Sequence, residues 1–74
     1  MTFKEYLAIR RVTDTPAGDF TKDARADRHL PNVKTWEQLR RHVERRAPLR
    51  NGGDVLSAAR QVWAGYQRKQ QQLG

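Results

Sequence analysis

Apolar residues recur along this chain three and four positions apart, in four stretches. Phe3, Tyr6 and Leu7 form the first stripe, and Phe20 with Ala24 the second. Trp36, Leu39 and Val43 form the third. Val55, Ala59, Val62 and Tyr66 form the fourth, widened by Leu56 and Trp63. Such spacing gathers each set on one face of a helix. No stretch alternates apolar and polar residues with the β-branched enrichment of a strand. The pattern predicts an all-α fold: a compact bundle of four to five short helices, with Trp36 and Trp63 holding its core.

Polar residues mark where these helices start and stop. Thr2 and Glu5 make a capping box, so the first helix is predicted from Phe3 to about Arg11. Arg10 and Arg11 then complement the dipole at its C-terminal end. Thr15-Pro16 is a second start signal. Gly18 weakens it and moves the expected start towards Asp19, and Leu30-Pro31 closes this helix. Thr35 through Gln38 makes another capping box, and Pro48 stops the third helix near Ala47. Asn51-Gly52-Gly53-Asp54 reads as a loop and cap before the fourth helix. Its polar end is expected to fray from about Gln67.

Length and composition narrow the possibilities. The 74 residues suffice for one domain, residues 1–74. With no cysteine there is neither a disulfide framework nor a thiolate metal site. No apolar run approaches the roughly 20 residues that span a bilayer, and no signal-peptide pattern opens the chain. A cytoplasmic protein with no membrane partner is expected. No nucleophile elbow, phosphate-binding loop or dinucleotide fingerprint is present, so the chain does not read as an enzyme. No cofactor, no metal and no small-molecule substrate are expected, and a core this small leaves little room for a ligand pocket.

Charge changes the picture. Fifteen Lys and Arg oppose eight Asp and Glu, for a formal net charge of +7. The excess is densest at Arg40, Arg41, Arg45, Arg46 and Arg50, with Lys34 just before them. Arginine in this number favours bidentate contact with phosphate or carboxylate. Glu37 can pair with Arg41, and Glu44 with Arg40 or Arg41, across a helical turn. Two glutamates cannot neutralise five arginines, so a local excess is expected to survive. The predicted partner is the backbone of DNA or RNA. The alternative is a protein adaptor that binds an acidic partner surface with the same residues, or that self-associates. Base-specific reading is not expected, because the His29–Lys34 connection is too long for a helix-turn-helix and contains proline.

Other chemistry reads as structural. Trp63 and Tyr66 are better placed for packing than for base stacking. His29 and His42 lack ligand partners at metal spacing and read as surface histidines. Asp19, Asp23 and Asp27 lack the loop that calcium needs. They read as partners for Lys22 or Arg25, as caps, or as a face opposed to a basic surface.

One further pattern lies in the order of landmarks. These are Phe3, Tyr6, Leu7 and Arg10, then Gly18-Asp19-Phe20 and Asp23-Ala24, then Asp27, Leu30-Pro31, Trp36 and Leu39, and finally Val62-Trp63 and Tyr66. In this order the chain resembles the YozE-like family of small bacterial proteins with a SAM-like fold. The resemblance implies a SAM-like bundle of about five short helices and no particular function. SAM-like folds serve both nucleic-acid binding and protein association.

Overall fold

A computed structural model describes residues 1–46 and 52–73. Four helices run through them: α1 (Phe3–Ile9), α2 (Pro16–Ala26), α3 (Trp36–Arg46) and α4 (Gly52–Leu73). The described residues contain no strand, and the architecture is an all-α bundle. α2 and α3 pack on α4, and α1 packs on α2. No described helix is long and apolar enough to cross a membrane.

Most starts follow the predicted signals. Thr2 caps α1 through its hydroxyl, and the Glu5 carboxylate accepts from the Thr2 amide at 2.7 Å. Thr15 caps α2 by accepting from the Gly18 amide at 3.1 Å, with Pro16 in the first turn. The helix therefore starts at Pro16 rather than near Asp19. Gly18 is no obstacle to that start, because the Thr13 backbone crosses against it and a Cβ there would overlap the Thr13 carbonyl. The absent side chain is what lets the incoming chain reach the cap. At α3, Thr35 accepts from the Gln38 amide, while the Gln38 side chain reaches one residue further back, to the Lys34 amide at 2.6 Å.

The ends differ more. α1 stops at Ile9, and Arg10 turns out into extended backbone (φ −71°, ψ 137°). The cation at its C-terminus is supplied by α2. Arg25 donates to the carbonyls of Leu7 at 2.6 Å, Ala8 at 3.2 Å and Arg10. α2 ends at Ala26, before the Leu30-Pro31 break, because Asp27 leaves the helix and accepts from the His29 amide at 2.9 Å. The predicted stop at Ala47 and Pro48 lies outside the described residues. α4 starts at Gly52, so both glycines of the predicted loop belong to the helix, and it continues past Gln67 to Leu73.

The core joins these elements. Phe3 and Leu7 of α1, Leu39 of α3, and Val62 and Trp63 of α4 are almost wholly buried. Phe3, Trp63 and Tyr66 pack ring to ring, with centroids 5.0–5.4 Å apart. Tyr6 lies over Gly65, where a Cβ would strike its hydroxyl. The Tyr66 hydroxyl donates to the Met1 carbonyl at 2.9 Å, tying the start of the chain to α4. Leu30 and Val33, from the connection between α2 and α3, complete the core.

Two residues of the apolar stripes pack against this core from its edge. Trp36 is half-buried at its edge, where the guanidinium of Arg60 sits 5.0 Å from its ring centroid. Phe20 is half-buried too, and α2 instead turns Ala17, Gly18, Thr21 and Ala24 inward. Thr21 is tolerated there because its hydroxyl donates to the Ala17 carbonyl at 2.8 Å.

Candidate basic interface on helix three

Leu39 and Val43 fix the orientation of α3 by facing the core. Every other side chain on the helix takes its environment from its angle to that pair. Arg40 lies on one flank between two glutamates. It reaches Glu37 at 2.5 Å and Glu44 at 2.7 Å. The hydrogen bond from Arg40 holds the Glu37 carboxyl below its ordinary value, and Glu37 in turn raises Arg40. Arg41 makes a longer contact with Glu37, at 3.4 Å, and its side chain stays 74 % exposed.

On the other flank, His42 and Arg46 point towards the end of α2. Asp27 stands there with only 8 % of its side chain exposed. Its Oδ2 lies 2.7 Å from His42 Nε2 and 3.3 Å from Arg46 Nε. Burial opposes ionisation of Asp27, but the His42 ring, the His29 amide and Arg46 outweigh it and keep the carboxyl below its ordinary value. Since the carboxylate only accepts, the ring nitrogen facing it carries the hydrogen and donates. His42 is therefore no surface histidine; it ties α3 to the end of α2, with its side chain 12 % exposed.

The six predicted residues thus part company. Arg40 is held by two glutamates, and Arg46 is turned to Asp27. Arg50 lies outside the described residues. Arg41, Arg45 and Lys34 are exposed. Among the described residues, Arg45 and Lys34 have no carboxylate within 4.0 Å. Arg41 and Arg45 are four residues apart and share the outward face of α3. No group of three His, Cys, Asp or Glu that could hold a metal occurs among the described residues.

Sequence reasoning missed the Asp27–His42–Arg46 cluster. Its one legible trace is that His42 and Arg46 sit a helical turn apart beside the Leu39–Val43 stripe. That Asp27 would meet them follows from packing across fifteen and more residues of chain. Also unforeseen is a cleft of about 500 Å³ between α2, α3 and α4. It is open to solvent, and Phe20, Leu39, Val43 and Val55 line it together with Asp19 and Arg46. No protein-family model, no curated protein and no solved structure matches the chain.

Proposed function

We propose that the chain is a small non-enzymatic binding module of the cytoplasm that engages nucleic-acid phosphates through the outward face of α3. The observation that carries this reading is the pair Arg41 and Arg45, exposed one turn apart, with Lys34 beyond them and too few carboxylates to neutralise the group. Arg40 and Arg46 contribute second, since each would have to exchange a carboxylate for a phosphate. Arg50 is assigned to the same surface by its place in the sequence. An acidic protein surface would engage the same guanidiniums, and is the alternative reading. The YozE-like resemblance agrees with the small helical bundle, but its landmarks Phe3, Leu7, Leu39 and Trp63 are core residues. They speak for the fold and leave the function to the arginines.

The test is fluorescence anisotropy with labelled duplex DNA, single-stranded DNA, RNA and an acidic peptide, each at stepped salt. A nucleic acid is expected to bind, and Arg41→Ala with Arg45→Ala to abolish most of that binding. Nucleic-acid affinity unchanged by this double substitution would overturn the proposal. Binding of the acidic peptide alone would establish the alternative.

A further inference from the structure

Aromatic side chains are few in this chain, two each of phenylalanine, tyrosine and tryptophan. Phe3, Trp63 and Tyr66 are buried, and Tyr6 packs on Phe3 and Tyr66 with centroids 6.5 and 5.6 Å apart. Phe20 lines the cleft together with the carboxylates of Asp19 and Asp23, which repel phosphate. Trp36 differs from all of these. It is half-buried, and the guanidinium of Arg60 lies over its ring, 5.0 Å from the centroid. Arg60 is exposed and, among the described residues, has no carboxylate within 4.0 Å. What covers this ring face is therefore a solvated cation on a flexible stem.

The place of Trp36 on α3 joins it to the basic face. Trp36 opens the helix, and Arg40 follows one turn later on the same side. Arg41 comes next towards the outward face, and Lys34 stands two residues before the ring; both are exposed. The carboxylates of the helix, Glu37 and Glu44, are engaged by Arg40. The ring thus lies among Lys34, Arg41 and Arg60 at the N-terminal end of α3, whereas the undescribed residues 47–51 follow the C-terminal end.

A nucleobase offers a flat π-face to an aromatic ring, and such stacking is stronger than a cation–π contact at an exposed site. A base can therefore take the place of the Arg60 guanidinium over the indole. The displaced Arg60 stays beside the strand and can pair with its phosphate. In a duplex both faces of a base are taken by its neighbours, so only an unpaired strand can make this exchange. We infer that Trp36 is a stacking site for one base of a single-stranded nucleic acid, with Lys34 and Arg60 on the adjoining phosphates. This site rests on the nucleic-acid reading of α3 and narrows its ligand from any phosphate backbone to a single strand.

Anisotropy at one low salt concentration compares labelled oligothymidine, oligouridine, an abasic strand and a duplex, all of one length. The abasic strand keeps the phosphates and removes the bases. Tryptophan emission is followed in parallel with unlabelled strands. At least one base-bearing single strand is expected to bind about five-fold or more tighter than the abasic strand and to quench the emission. The abasic strand and the duplex should leave the emission unchanged. Trp36→Leu keeps an apolar side chain at the edge of the core. It should remove both the extra affinity and the quenching, with the abasic affinity unchanged, because the remaining Trp63 is 3 % exposed and out of reach of a base. Trp36→Tyr keeps an aromatic face and should retain most of the extra affinity. Circular dichroism checks that both variants stay folded, and the quenching of the parent chain reads the stacking without either of them. Equal affinity for base-bearing and abasic strands, or emission that no base-bearing strand changes, would overturn the stacking site and leave the phosphate reading standing. So would a folded Trp36→Leu chain that keeps the extra affinity. No binding to any strand would overturn both. Arg41→Ala with Arg45→Ala should weaken base-bearing and abasic strands alike and preserve their ratio, so the two readings fail separately.

Discussion

Trp36 and Trp63 occupy equivalent places in the apolar pattern and different places in the molecule. Trp63 is 3 % exposed and packs against Phe3 and Tyr66, whereas Trp36 lies at the edge beneath Arg60. Replacing Trp63 with Ala is expected to cost about 3–5 kcal/mol, enough to unfold a domain of this size. Trp36→Ala should cost about 1–2 kcal/mol, from partial burial and a surface cation–π contact. Thermal melts of the two variants check the order. His42 differs from both, since its value lies in one bond to a buried carboxylate. His42→Ala removes that bond, leaves Asp27 to the His29 amide and Arg46, and is expected to destabilise by about 1.5–3 kcal/mol in urea titrations near neutral pH. The sign of its pH dependence follows from Asp27. The folded carboxyl titrates below the unfolded one, so the unfolded chain binds more protons between the two values. The stabilisation is complete above the unfolded value near 4 and is lost as pH falls through the folded one. Asp27→Asn should flatten this acid limb.

At the scale of elements, α1 is the weakest piece. It has seven residues, too few to persist by itself. Burial of Phe3 and Leu7 holds one face, and Arg25 holds its C-terminal carbonyls from the neighbouring helix. Arg25→Met keeps much of the side-chain length and removes those bonds. Hydrogen exchange is expected to quicken in α1 ahead of α3 and α4, with a global loss of about 1.5–3 kcal/mol. α2 depends on a backbone crossing. Gly18→Ala sets a methyl against the Thr13 carbonyl, and the entering chain must shift away from its cap. A loss of about 1–3 kcal/mol in a thermal or urea melt is expected, although alanine is the better helix former.

For the whole molecule, net charge and charge placement give different expectations. Counting all five arginines of the cluster as phosphate contacts predicts a slope of about −4.5 in log K against log salt. With Arg40 and Arg46 held by carboxylates, three of the five remain, Arg41 and Arg45 with Arg50 counted by its place in the sequence, and the slope falls to about −2.7 for a duplex. Glu37→Gln with Glu44→Gln releases Arg40 and should steepen it by about one contact, 0.9. A salt titration of the parent chain and this variant measures the difference directly.

Much of the fold was legible in the sequence because its signals are local. Thr2, Thr15 and Thr35 sit within a turn of the amides they cap, and the apolar spacing of α3 and α4 is a property of single helices. That locality also placed the arginines on α3 and allowed Glu37 and Glu44 to be named as their partners. What the sequence left open depends on neighbours far along the chain. The fate of Gly18 is decided by the backbone at Thr13, and the fate of Trp36 by how α3 lies against α4. Asp27 reads as one of three carboxylates on α2 until the packing of α2 on α3 buries it against His42 and Arg46. The same packing opens the cleft and separates guanidiniums already held by carboxylates from those free to bind. Composition set the charge of this protein, and tertiary structure decided which of it is available. An ion pair depends on distances of a few ångströms that helical periodicity fixes within one helix and only packing fixes between two.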